Sequence, residues 1–390
     1  MNRFCSIFSQ LLKLFPRTEF QRLVKETRAE RHARGFDCWT QFVSMQFCQL
    51  GRAHSLREIS GGLRSCEGKL SHLGVRKAPS RSTLAYANEH RPWQLFEKVF
   101  HTLFDRCRDV GLAAGKKKFR FKNKLLSLDS TMVELCTSLF DWAKYVRTKG
   151  AVKLHLLLDH EGYLPSVAVI TEGKRHDVTV ARTLRLEPGS IVIMDRGYLD
   201  YGWYAELTAQ GVFFVTRARS NMVYEVVEER PLPERSQIRR DQIVRLTGRQ
   251  LGKGCPYELR RVEVFVPEKN EIMVFLTNHL HLGATTIARI YKDRWQIELF
   301  FKALKQNLKI KSFVGTTANA VHIQIWTALI AMLLLRYLQL RARFSWSLSN
   351  LVALLRMNLF VHRDLWSWLN EPFNDPAEIP QPVQQALALG

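Results

Sequence analysis

The chain of 390 residues carries 58 Lys and Arg against 36 Asp and Glu, a formal net charge of +22, and 46% of its residues are hydrophobic. That length and apolar content provide for two or three domains with a sizeable core and exclude a disordered or low-complexity chain. The basic excess calls for a polyanionic partner, nucleic acid before anionic membrane. The one strongly apolar run, residues 326–335, is too short to span a bilayer and reads as a buried core helix. Cys5, Cys38, Cys48, Cys66, Cys107, Cys136 and Cys255 are odd in number and show no C-x-x-C spacing. Neither a zinc site nor a full disulfide framework is expected, and reduced structural thiols in a cytoplasmic protein are. The opening Met1-Asn2-Arg3-Phe4 lacks the apolar stretch of a signal peptide.

From residue 4 to 50 apolar side chains recur at helical spacing, Phe4, Ile7, Phe8, Leu11 and Leu12 before Pro16, then Phe20, Leu23 and Val24. Ser55 is placed to cap a helix over 56–63, and after Gly74 a helix over 80–91 ends at Pro92. These segments fit either a DNA-reading helix-turn-helix or a plain packing unit. Residues 93–110 form a further helix. Gly115 then opens the densest basic run, Lys116, Lys117, Lys118, Arg120, Lys122 and Lys124, with Phe119 and Phe121 between them. Such a run is either a solvated linker or a contact to a phosphate backbone.

Beyond it the pattern switches to strands. Residues 125–131 are an apolar run that ends on Asp129, residues 151–159 alternate before the turn Asp159-His160-Glu161-Gly162, and 163–170 alternate again. A helix over 176–186 carries Asp177 near its start. A buried strand over 190–194 runs into Asp195-Arg196-Gly197-Tyr198, followed by a helix over 200–210 and a strand over 212–216. Three strands, helix, strand, helix, strand and a later long helix is the order of a ribonuclease-H-like (retroviral-integrase-like) α/β core. Residues 218–277 read as an all-β insertion, with strands at 243–246, 259–266 and 272–277. An apolar helix over 317–340, an amphipathic segment over 347–368 and a Pro-rich tail close the chain.

The stretch 291–305 carries chemistry and core on neighbouring strips. At about 100° per residue, Tyr291, Arg294, Glu298 and Lys305 share roughly one sixth of a helix circumference, beside Ile290, Ile297, Phe301, Leu304 and Leu308. Taken alone, such a strip is equally a salt-bridged solvent face. Its spacing, Tyr, two residues, Arg, three residues, Glu, six residues, Lys, resembles the YREK signature of the DDE-type insertion-sequence transposases of the insertion sequence four group. Asp129 within Leu-Asp-Ser-Thr and Asp195 within Asp-Arg-Gly-Tyr are similar to that family's two upstream motifs, although a strand-end aspartate by itself more often caps a turn.

The resemblance implies that Asp129, Asp195 and Glu298 are catalytic, metal-binding carboxylates on two Mg²⁺ ions, with Mn²⁺ able to substitute. Such a site suits hard oxygen ligands from separate elements. It implies phosphate contacts for Tyr291, Arg294 and Lys305, cut-and-paste chemistry on double-stranded DNA, and a homodimer on paired element ends in the bacterial cytosol. Its domains would be a helical DNA-binding domain over 1–115, a basic linker over 116–124 with Lys116, Lys117, Lys118 and Arg120 on DNA, and a catalytic core over 125–217 and 278–345. The β insertion over 218–277 and a helical segment and tail over 346–390 complete it. Trp295 is placed either to stack on a base or to join the core. Some members flip a base onto a Trp of the insertion, but residues 218–277 hold none, only Tyr224 and Tyr257 in its stead. Asp177 and Glu134 read as a helix cap and a surface acid, or as hydrogen-bonding support for the site. The rival readings are a structure-selective nuclease on the same fold and a DNA-binding protein that has lost its chemistry.

Overall fold

Leucine-rich and β-branched runs in the middle of the chain build one ten-stranded sheet in the computed structural model. The model describes residues 5–374, apart from 32, 34, 115–117, 136–139, 141, 143, 147–148, 248–254 and 311. The strands are β1 (Leu125–Leu135), β2 (Lys144–Val146), β3 (Lys149–Asp159), β4 (Leu164–Glu172), β5 (Ile191–Met194), β6 (Phe213–Arg217), β7 (Tyr224–Glu229), β8 (Ile238–Leu246), β9 (Leu259–Val266) and β10 (Glu271–Thr277). Their order is β2-β3-β1-β5-β6-β10-β9-β8-β7, with β4 also paired to β3. Among the described residues only β1, β5 and β6 run parallel, and β5 is buried along its whole length, as a strand covered on both faces must be.

Two strand expectations are corrected. Asp129 does not end its strand, because β1 continues through the polar Ser130 and Thr131 to Leu135, held by β3 in a ladder from Leu126↔Asp159 to Leu135↔Gly150. What stops near Asp129 is the neighbour, since β5 ends at Met194, the partner of Leu128. The helix expected over 176–186 is only α7 (Asp177–Ala181). The described part of 218–277 does fold mainly as strands, β7 to β10, and they prolong the same sheet, β10 pairing with β6 at Phe275↔Arg217.

The helices before the sheet are α1 (Ile7–Leu12), α2 (Arg17–Thr27), α3 (Cys38–Leu50), α4 (Leu56–Ser65), α5 (Arg81–His90) and α6 (Gln94–Ala114). Their starts are written in capping residues. Asp37 accepts from the Thr40 N–H at 2.7 Å, Ser80 from Thr83 at 3.1 Å and Ser55 from Glu58 at 3.1 Å, while Glu58 reaches back to the His54 N–H at 2.9 Å. Later come α8 (Tyr201–Ala209), α9 (Ala284–Asp293), α10 (Trp295–Asn307), α11 (Ala318–Arg341), α12 (Leu348–Asn358) and α13 (Leu365–Asn370). The stretch 291–305 is thus two helices that meet at Arg294, and not the single helix its periodicity suggests.

α11 is long and apolar enough to cross a membrane, yet 83% of its most apolar window is buried inside the protein. It is a core helix. Phe42 of α3, Phe96 and Phe100 of α6, Phe300 and Leu304 of α10, and Leu154 and Leu156 of β3 all join one apolar cluster with it. Among the described residues the N-terminal helices therefore share one core with α11 and the sheet. Buried amides pin this junction, Gln324 donating to the Lys309 carbonyl at 2.7 Å and Gln49 accepting from the Lys309 N–H at 2.8 Å. The six described cysteines are free, and burial pushes the thiols of Cys38, Cys48 and Cys107 up to about 12, leaving them as packing groups.

Trp326 lies at the centre of this cluster, 1% exposed with its ring 5.3 Å from that of Phe100. Truncation to alanine should cost about 3 to 5 kcal/mol in a urea-denaturation experiment. A loss under about 1 kcal/mol would mean that the N-terminal helices do not depend on α11.

Candidate catalytic site

Asp129 and Asp195 each follow one member of the register pair Leu128↔Met194, so adjacent parallel strands deliver both carboxylates to one end of the sheet. Asp195 caps the short turn Arg196–Tyr198, accepting from the Gly197 N–H at 2.8 Å. A Cβ at position 197 would lie 2.9 Å from Asp195 Oδ1, so a glycine is what lets the turn close over that carboxylate. Asp129 accepts from the Ser130 N–H at 2.8 Å through Oδ1 and from Arg294 at 3.0 Å through Oδ2.

Arg294 stands at the joint of α9 and α10 and also donates to Glu298 Oε1 at 3.3 and 3.4 Å. One guanidinium thus joins carboxylates from a strand and a helix. Lys305 donates to Thr131 Oγ1 at 2.6 Å, a second tie between α10 and β1. The Tyr291 ring packs 4.7 Å from that of Phe275, with Arg294 5.8 Å over it. Trp295 is 59% exposed, which leaves it out of the core.

Burial pushes the Asp129 carboxyl up to about 7, and the nearby Glu298 and Asp195 push the same way against the pull of Arg294. Burial disfavours the charge on Arg294, yet Asp129, Tyr291 and Glu298 hold its pKa above the usual arginine value. Among the described residues no three His, Cys, Asp or Glu side chains converge as a finished metal cage. Arg294 instead supplies the positive charge between Asp129 and Glu298. The donor set is still that of a hard divalent cation, oxygen ligands only, and a buried carboxyl pushed this high is one that a nearby cation would hold ionised.

Asp177 is neither a helix cap nor a surface acid. It accepts from Ser130 Oγ at 2.7 Å and lies 3.3 Å from Lys153 and 3.4 Å from His155, because β3 carries that Lys and His beside β1. Burial pulls His155 down to about 4. Glu134 is exposed. Lys116 and Lys117 lie outside the described residues, Arg120 is exposed, and Lys118 is engaged with Asp293. The sequence reading passed over Asp293, His160 and Ser127. It also passed over a cavity of about 200 Å³ whose lining includes Arg196, Arg217, Arg219, Tyr224 and Arg261. The close spacing of Arg217 and Arg219 was a signal available there.

Two carboxylates at the ends of adjacent strands, a helix glutamate and a guanidinium that meets two of the three thus stand together on a strongly basic protein. A model of the transposase DDE domain matches residues 120–334, and a domain of unknown function matches residues 5–76. The chain belongs to the DDE transposase-domain family, and it is a metal-dependent DNA transposase. A protein named as a transposase, y4zB of Sinorhizobium fredii, is 34% identical over 292 residues, 74% of this chain and 80% of its own length. One named as a transposase for insertion sequence element IS5377, from Geobacillus stearothermophilus, is 30% identical over 258 residues, 66% of this chain and 67% of its own. A solved piggyBac transposase synaptic complex with hairpin DNA overlaps 97% of this chain and 84% of its own at a TM-score of 0.47 and 10% identity, a likeness too slight to bear on function.

The position of Asp129 has a consequence for metal-free stability. An aspartate near its usual value when unfolded and near 7 when folded binds more protons in the folded state between those limits, so stability falls as pH rises from about 4 to about 7. The difference in melting temperature between Asp129→Asn and wild type should therefore shift in favour of the variant across that window and level off above it. A difference constant with pH would show that the Asp129 carboxyl is not held in this desolvated state.

Proposed function

We propose that Asp129, Asp195 and Glu298 are the catalytic carboxylates of a cut-and-paste transposase of the insertion sequence four group. Tyr291, Arg294, Glu298 and Lys305 would be its YREK residues. The observation that carries this reading is the bridge of Arg294 from Asp129 on β1 to Glu298 on α10. It joins the motifs that the resemblance requires to be together. A ribonuclease-H-like core is supported by the strand order β4-β3-β1-β5-β6, with β1, β5 and β6 parallel.

Asp129, Asp195 and Glu298 would hold two Mg²⁺ ions, or Mn²⁺ in their place, which when bound polarise the scissile phosphate and make water or a 3′-hydroxyl a better nucleophile. The protein's own groups divide the remaining work. Asp129 contributes as a carboxylate, so a neighbouring cation favours the form the site needs. Arg294 offers phosphate a planar fork, Lys305 a point charge, and Tyr291 a hydroxyl beside them. Trp295, exposed next to that strip, offers a stacking face for a base. The basic segment at 116–124, Arg120 included, follows the DNA backbone. Residues 1–115 read the element ends, and two copies act on paired ends in the bacterial cytosol. A nuclease on the same scaffold would cut without joining, so strand-transfer products separate the two readings.

Glu298→Gln keeps the shape of the side chain and removes its charge. In a Mg²⁺-dependent assay on a duplex carrying the DNA that flanks the coding region, cleavage and joining should both fall by orders of magnitude, with DNA affinity and circular dichroism unchanged. A solvated i,i+4 pair with Arg294 would be worth only about 0.3 to 0.5 kcal/mol. A folded Glu298→Gln protein that cuts at near wild-type rate would sink the assignment.

A further inference from the structure

The joint between α9 and α10 has no proline or glycine to explain it, since positions 291–296 read Tyr-Lys-Asp-Arg-Trp-Gln. Arg294 N–H bonds to the Tyr291 carbonyl at 3.1 Å and Ile297 N–H to the Arg294 carbonyl at 3.1 Å, so the chain tightens there into i to i+3 bonds. Such a mid-helix turn is imposed by side-chain contacts when the backbone has no breaker of its own.

Beside the turn stands Asp293, the last residue of α9, which is only 4% exposed. A carboxylate so enclosed needs partners. It accepts from Lys118, from His160 Nδ1 at 2.8 Å and from the Tyr163 hydroxyl at 3.3 Å. Burial pushes its carboxyl up, but His160 and Lys118 more than offset this and hold it below the usual value. Because an ionised carboxylate only accepts, His160 donates through Nδ1, and its other nitrogen meets Ser127 Oγ at 2.7 Å. Ser127 lies two residues before Asp129 on β1, hence on the same face of that strand. The hydrogen-bonded chain Asp293, His160, Ser127 therefore runs from the residue beside Arg294 to the approach of Asp129.

In order and spacing this chain matches an Asp-His-Ser relay, but Ser127 is 0% exposed and no substrate reaches it. Its use is mechanical. We propose that the Asp293 node, with His160, Ser127, Tyr163 and Lys118, is the positioning element of the site. By fixing the joint of α9 and α10 against β1, it sets where Arg294 and Glu298 fall relative to Asp129. This rests on the reading of Asp129 and Glu298 as catalytic; the five node residues are positioning residues and touch no reacting atom. Lys118 then has a second consequence: the basic segment that approaches DNA is anchored to the catalytic helix joint.

The test uses the full-length protein and the flanking-DNA duplex, with cleavage rate measured against Mg²⁺ concentration for wild type, Asp293→Asn, His160→Gln and Glu298→Gln. Asp293→Asn and His160→Gln should retain wild-type circular dichroism and DNA affinity, need several-fold more Mg²⁺ for half-maximal rate, and cut roughly tenfold to a hundredfold more slowly, the range a displacement of about 1 Å produces. If Asp293→Asn folds poorly, His160→Gln decides, since it leaves the Lys118–Asp293 pair in place. Folded variants with wild-type rate and Mg²⁺ dependence beside an inactive Glu298→Gln would overturn the positioning role alone. So would a rate lowered only in proportion to lost folded protein, with the Mg²⁺ midpoint unmoved. A Glu298→Gln protein as active as wild type would instead remove the site reading, and the positioning role with it.

Discussion

The arrangement depends on one guanidinium. Arg294 meets Asp129 and Glu298 at once, and these come from a strand and a helix separated by most of the sheet's sequence. Carboxylates drawn together without a cation repel and are costly to bury, so some positive charge must accompany them. The protein's own arginine supplies it. The same residue sits where α9 gives way to α10, which makes the geometry of the joint and the electrostatics of the site a single problem.

The sheet and the core answer the remaining demands. Parallel pairing of β1 with β5 is what puts Asp129 beside Asp195, and the early end of β5 leaves that edge of β1 unpaired beyond Leu128 while β3 still holds the other, with Asp129 opposite Leu156. α10 is held from behind by Ile297, Phe300, Phe301 and Leu304, which share a core with α11 and the N-terminal helices. A site carried on packed strands and helices keeps its side chains more narrowly placed than one carried on loops. In the same way, the segment expected to find DNA and the segment expected to cut it are parts of one packed body.

What the sequence made legible was whatever is local or periodic. The apolar strip of 291–305 emerges buried, Ser55 caps its helix, and the β-rich pattern of 218–277 becomes β8, β9 and β10. Arg294 and Glu298 share the strip that the spacing suggested, and Arg294 also meets Asp129, which the resemblance and not the spacing put in the same site. Long-range features were not legible. β1 runs on past Asp129 because β3 pairs with it, although Ser130 and Thr131 break the apolar run. β7 is nearly all exposed and so carries no alternation to detect. The enclosure of Asp293 beside the break at Arg294 depends on His160, 133 positions before it, and no window along the chain contains both.

The central proposal is that Asp129, Asp195 and Glu298 hold divalent cations at the place where Arg294 bridges Asp129 and Glu298. Anomalous diffraction from crystals grown with Mn²⁺ tests it most directly. The account predicts manganese density bounded by carboxylate oxygens of Asp129, Asp195 and Glu298, with the Arg294 guanidinium withdrawn from Asp129. Manganese bound elsewhere in the protein, with Arg294 still bridging Asp129 and Glu298, would contradict it.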